Sequence, residues 1–256
     1  MNKIALGWLL LLSFRLCGAE LPLKIGMELS YPPFEMMAPD GHPSGISVDL
    51  ARALGKFLER EVLIDNIAFI GLIPSLNNGK IDLIISSMTV TDQRKRIIDF
   101  SIPYATTGLC LLISAKSDLT SLESANQPGR IIVVKSGTSG EVYAVAHLKK
   151  ASTLILDKEA MCVLEVIQGK ADAFIYDQLS VYTNWQKNPQ TTRALLTPFQ
   201  IEHWAIGVRK GNTPLVKQVN EFISKFREEG GFDQLTDKYL LEQKKAFQQM
   251  DVPFVF

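Results

Sequence analysis

The chain has 256 residues, 46% of them hydrophobic, and 27 Lys and Arg side chains balance 27 Asp and Glu. That composition excludes a disordered or collagen-like chain, and the missing basic surplus argues against a nucleic-acid partner, whose phosphates would demand one. The length suits one large domain or two of roughly 120 residues each, enough to bury a sizeable core.

The N-terminus opens with Met1-Asn2-Lys3, continues with an apolar run over 4–12, and reaches the small residues Cys17, Gly18 and Ala19. This pattern predicts a cleaved secretory signal over 1–19, because the run is about half of the roughly 20 residues that a spanning helix needs. Lipidation of Cys17 is the alternative, disfavoured by the bulky or charged Phe14-Arg15-Leu16 before it. Removal of 1–19 takes Lys3 and Arg15 and leaves 25 basic against 27 acidic side chains. A periplasmic location follows as an expectation.

Leu23 to Met27 reads as a strand, and Val48, Ala51, Leu54, Phe57 and Leu58 mark one face of a helix over 48–58. An internal echo follows. Leu76-Asn77-Asn78-Gly79-Lys80-Ile81-Asp82-Leu83-Ile84-Ile85 recurs ninety residues later as Val166-Ile167-Gln168-Gly169-Lys170-Ala171-Asp172-Ala173-Phe174-Ile175. Each copy predicts a helix closed by Gly in the left-handed conformation, then a buried strand. Two α/β lobes built alike would deliver Ser86, Ser87 and Thr89 from one strand end and Tyr176 and Asp177 from the other. Open α/β sheets bind ligands at those carboxyl ends. The alternative is that helix-Gly-Lys-x-Asp-strand is only a common α/β turn.

Ser87-Met88-Thr89-Val90-Thr91-Asp92-Gln93-Arg94 is the richest segment. Thr91 or Asp92 suits an N-cap, and Arg94 in the first turn can close its fork on a carboxylate beside the Thr89 hydroxyl; Arg94-Lys95-Arg96 also fits a solvated basic face. Cys110 and Cys162 both lie in apolar runs and are expected to stay unpaired. Gly137-Thr138-Ser139-Gly140 follows a strand over 131–134 and opens a helix, where N–H groups suit an anion. A helix over 215–229 ends at Gly230-Gly231. No metal-ligand spacing, nucleophile elbow, P-loop or dinucleotide fingerprint is present, so no cofactor is expected.

Seven segments in order resemble the polar amino-acid-binding branch of periplasmic solute-binding proteins of ABC importers (family 3). They are Tyr31-Pro32-Pro33-Phe34-Glu35, Gly45-Ile46-Ser47-Val48-Asp49-Leu50-Ala51, Gly71-Leu72-Ile73-Pro74-Ser75-Leu76, Met88-Thr89-Val90-Thr91-Asp92-Gln93-Arg94, Asp99-Phe100-Ser101-Ile102-Pro103-Tyr104, Lys135-Ser136-Gly137-Thr138 and Gly230-Gly231-Phe232. The resemblance implies an α/β, two-lobed periplasmic-binding-protein fold (type II) with two crossover strands, over 109–114 and 205–209, that closes on its ligand by a hinge motion. Lobe one would hold 20–108 and 204–256, and lobe two 109–203. The implied partners are a free amino acid and an inner-membrane permease, for a receptor that works as a monomer.

The resemblance also assigns roles. Arg94 would grip the α-carboxylate with Ser87, Met88, Thr89, Thr138 and Ser139 around it, and Asp177 would take the α-ammonium. Tyr31 would cover the aliphatic stem, with Ile46 standing where an aromatic usually forms the opposite wall. Glu28 and Lys135 would read the side chain: facing each other they favour an uncharged amide such as glutamine, whereas Lys135 turned away would favour arginine. A dehydratase acting on prephenate or arogenate is the competing resemblance, in Ser101-Ile102-Pro103-Tyr104, Gln127-Pro128-Gly129 and His147-Leu148-Lys149-Lys150-Ala151. Its general acid would fall at Ser180, a poor proton donor, with Glu28 as a substitute acid. The tail 241–256 extends past the family's usual end and reads as a frayed terminus.

Overall fold

The computed structural model describes residues 21–254, so the expected signal 1–19 and Cys17 lie outside the described residues. In lobe one the elements are β1 (Leu23–Met27), the small antiparallel meander β2 (Ser30–Tyr31), β3 (Glu35–Met37) and β4 (Pro43–Ser44), α1 (Ile46–Phe57), β5 (Val62–Asn66), α2 (Phe69–Asn77), β6 (Leu83–Ile84), α3 (Asp92–Lys95) and β7 (Ile98–Phe100). β8 (Ala105–Ser114) then crosses into lobe two, with α4 (Leu122–Ala125), β9 (Ile131–Lys135), α5 (Ser139–His147), β10 (Ser152–Leu156), α6 (Glu159–Gln168), β11 (Ala173–Asp177) and α7 (Gln178–Lys187). β12 (Thr192–Trp204) returns, and β13 (Gly207–Arg209), α8 (Thr213–Glu228), α9 (Gly231–Tyr239) and α10 (Leu241–Gln249) complete lobe one.

Each lobe carries a five-stranded mixed sheet, ordered β5-β1-β6-β13-β7 in the first and β10-β9-β11-β8-β12 in the second. β1 sits centrally, which is why Leu23, Ile25 and Met27 are all fully buried. The apolar face of α1, Val48, Ala51 and Leu54, packs with Val219, Phe222 and Ile223 of α8 in the lobe-one core. Two smaller clusters fill the faces of the second sheet; Cys110 and Cys162 both lie in one of them as free, buried thiols.

The crossover strands differ from their expected limits. β8 starts at Ala105 rather than 109, and β12 runs antiparallel to it from Thr192 to Trp204, interrupted by a register shift between Leu195 and Gln200. The Trp204 end is tied to lobe one by Val90 N–H to His203 O at 2.8 Å and Ala205 N–H to Met88 O at 3.1 Å. The two copies of the echo superimpose in role: Gly79 and Gly169 both have φ of 72°, and the strands β6 and β11 that follow present Ser86, Ser87, Tyr176 and Asp177 at the lobe junction.

The expectation of a frayed tail is overturned. Phe247 of α10 is fully buried, and its ring meets Tyr182 of α7 at 5.1 Å and Phe254 at 5.6 Å. One aromatic side chain that finds a place against α7, rather than position at the end of the chain, decides the outcome.

Candidate functional site

The lobes meet around a polar cavity of about 460 Å³ of atom-free space, solvent at its mouth included. Strand ends and helix starts build it, as they must in open α/β sheets. Glu28 follows β1, Tyr31 lies in β2, and Ser86, Ser87, Thr89 and Arg94 follow β6. Lys135, Thr138 and Ser139 join β9 to α5, and Tyr176 and Asp177 end β11.

Nine of the eleven expected site residues therefore line one cavity, and two do not. Ile46 is 1% exposed inside the lobe-one core at the start of α1. Met88 packs with Leu72, Leu76, Ile81, Ile84 and Ile98 in a lobe-one core cluster, while Ser87 and Thr89 on either side line the cavity. The aromatic wall thought to be lost is present at a different position. Phe69, the first residue of α2, holds its ring 5.5 Å from the Arg94 guanidinium carbon and 5.4 Å from the Lys135 ammonium.

Arg94 is set by its helix: Thr91 caps α3 by accepting from the Arg94 N–H, and Asp92 lies in the first turn. Its two terminal nitrogens donate to Thr89 O at 2.6 Å in lobe one and to Gly137 O at 2.9 Å in lobe two. Gly137 has φ of 76°, and a Cβ there would meet the Ile70 backbone at 3.2 Å, so a larger residue is strained. Burial lowers the Arg94 pKa to about 10, partly offset by the carboxylate of Glu202.

Lys135, 2% exposed, donates to Glu28 Oε2, a buried ion pair that bridges the lobes. Asp177 caps α7, accepting from the Ser180 N–H at 3.1 Å, and burial raises its carboxyl to about 7. The Tyr31 hydroxyl is buried beside the Asp177 carboxyl. Ser180 itself donates to Glu159 and does not line the cavity, so the position expected to hold a dehydratase acid is turned away from it.

Two carboxyls in the cavity wall escaped the sequence reading. Glu35 accepts from Ser47 at 2.6 Å, Ser87 at 3.2 Å and Ser86 at 3.3 Å, and burial raises it to about 8. Ser87, with φ of 48°, takes the left-handed conformation uncommon outside glycine to turn its hydroxyl there. Glu202 of β12 accepts from Thr89 Oγ1 at 2.9 Å and Ser139 Oγ at 2.8 Å on one oxygen, and from Gln200 at 2.9 Å on the other. Glu35 could have been found inside Tyr31-Pro32-Pro33-Phe34-Glu35; Glu202 had no local signal, being one charge in an extended strand. Among the described residues no group of three His, Cys, Asp or Glu is placed to hold a metal ion, and no helix is long and apolar enough to cross a membrane.

A two-lobed α/β fold with a charged cavity at facing strand ends defines a small-solute receptor that grips its ligand from both sides. Residues 23–242 match the model of the bacterial extracellular solute-binding proteins, family 3, and the chain belongs to that family. Its sequence is 33% identical over 254 residues to the L-arginine-binding protein of Pseudomonas aeruginosa, covering 93% of this chain and 96% of that one. A binding component of an ABC transporter from Wolinella succinogenes, complexed with lysine, is similar at TM-score 0.81 and 32% identity, over 88% of this chain and 98% of that one. An ancestral arginine-binding protein bound to glutamine is similar at TM-score 0.79 and 29% identity, over 86% and 97%.

Proposed function

We propose that this protein is the periplasmic receptor of an amino-acid ABC importer, exported by a cleaved signal over 1–19, working as a monomer and handing its ligand to an inner-membrane permease. The ligand is a polar amino acid, with glutamine first. Asp177 and the Tyr31 hydroxyl beside it take the ammonium from one side. Arg94, Thr89 and Ser139 form the carboxylate pole, and Tyr31 and Phe69 wall the aliphatic stem.

The observation that supports glutamine is the Glu28–Lys135 pair, which presents one acceptor and one donor at the side-chain end. An amide supplies the matching donor and acceptor, whereas a guanidinium meets Glu28 but is repelled by Lys135. Basic amino acids are the second reading, favoured by four carboxyls in the cavity wall, Glu28, Glu35, Asp177 and Glu202, against two cations, Arg94 and Lys135.

Ligands that require both lobes are held only in the closed form, which is the differential contact needed to shift an open–closed equilibrium. Calorimetry of the purified mature protein against glutamine, arginine, lysine, histidine and prephenate tests the reading. Glutamine binding at least tenfold tighter than arginine supports it. The reverse order moves the assignment to the basic amino acids, and turnover of prephenate to phenylpyruvate replaces it with catalysis.

A further inference from the structure

Three donors form the carboxylate pole in the reading above, and the protein already sets a carboxylate of its own among them. Glu202 is 4% exposed, lines the cavity, and spends Oε2 on both Thr89 Oγ1 and Ser139 Oγ, at 2.9 and 2.8 Å. Ser139 is the first residue of α5, whose leading N–H groups carry the positive end of the helix, so this oxygen sits where an anion is favoured. The Arg94 guanidinium, which feels the Glu202 charge, gives one N–H of each terminal nitrogen to Thr89 O and Gly137 O and keeps its other three N–H groups for an anion. Gln200, two residues earlier on β12, donates to the other Glu202 oxygen and holds the carboxylate in place.

We infer that Glu202 is an intramolecular competitor for the ligand's carboxylate, a specificity-determining residue that weakens binding of free α-carboxylates and makes the site tolerant of ligands whose carboxyl is blocked. A ligand carboxylate reaching Thr89 and Ser139 must first release them from Glu202. It would then lie against the Glu202 oxygens, where like charges in a buried site repel. With Arg94 positive and Glu202 negative the pole carries no net charge to attract an anion. Asp177, close enough to feel the Glu202 charge, and the Tyr31 hydroxyl have no such internal cation against them, so recognition of the ammonium dominates.

This inference rests on the amino-acid reading above, and its test separates the two. Glutamine, arginine and the carboxamides of both are titrated into the native protein, Glu202→Gln and Glu202→Ala by calorimetry. The native protein is expected to lose less than about tenfold on passing from either free acid to its carboxamide. Both variants are expected to bind the free acid on the order of tenfold or more tighter and to reject the carboxamide strongly, since Arg94 is then unopposed. A native loss of a hundredfold or more on blocking the carboxyl overturns the competitor role, as does a variant that binds the free acid no better than native protein. If Glu202→Gln does not fold, Glu202→Ala and the native comparison decide. Absence of binding by all four compounds to every protein overturns the amino-acid reading and this inference together.

Discussion

Asp177 gives the binding reaction a pH dependence that can be worked out in advance. Burial, with Glu159 and Glu202 nearby, holds its carboxyl at about 7, so the group is half protonated near neutrality. A ligand ammonium pairs with the ionised form, which falls tenfold with each pH unit below that value. Affinity for the amino acid is therefore expected to be level above about pH 8 and to drop about 100-fold by pH 5, roughly 2.7 kcal/mol. Binding must release protons across this range, about half a proton per ligand at pH 7. Calorimetry from pH 5 to 8.5 in two buffers of different ionisation heat reads both quantities. Glu35 titrates in the same range but is enclosed by Ser47, Ser86 and Ser87, so Asp177→Asn isolates the effect: the variant should bind on the order of 2–5 kcal/mol more weakly at pH 8 and show no slope. A dissociation constant that stays within threefold from pH 5 to 8.5, or an Asp177→Asn protein that keeps the slope, refutes the assignment of Asp177 to the ammonium.

Replacing Lys135 by Met leaves Glu28 unopposed, and competition calorimetry should then show preference moving from glutamine toward arginine by tenfold or more; an unchanged order would remove the pair from the specificity argument. Glu35 is expected to govern stability. Its folded value of about 8 lies above the ordinary 4.5, so its contribution is present in full below pH 4.5 and is lost as pH rises through about 8, at most roughly 5 kcal/mol. Glu35→Gln should flatten the fall in urea-unfolding free energy between pH 5 and 8.5, and an unaltered slope would count against it. Phe247→Ala should cost about 3–5 kcal/mol by opening a cavity between α10 and α7, whereas a loss below 1 kcal/mol would mean that the tail docks without stabilising.

Much of the fold was legible because the features that set it are local or periodic. The strand at β1, the apolar stripe of α1, the Thr91 cap and the paired Gly79 and Gly169 stops all follow from spacing and residue type. The echo placed Ser87 and Asp177 at equivalent strand ends, and the cavity uses both. What the sequence hid depends on contacts between distant segments. Phe69 became the aromatic wall because α2 starts beneath Lys135 of the other lobe, sixty-six positions away in sequence. Glu202 joins the site only because β12 brings it to Thr89, 113 positions away. Ile46, which the resemblance places at the opposite wall, is the first residue of α1 and is buried in the lobe-one core.

Trp204 closes the strand that returns from lobe two, lines the cavity, and meets Phe34 edge-on at 4.9 Å and Tyr31 at 6.3 Å. Of the two tryptophans among the described residues, Trp185 lies on α7 and does not line that cavity. The indole at 204 is thus a built-in optical reporter. Any change in how the lobes approach each other alters the polarity around that ring, so ligand titrations can be followed by intrinsic fluorescence without a label, and Trp185→Phe in protein purified without residues 1–19 leaves one tryptophan for stopped-flow closure rates.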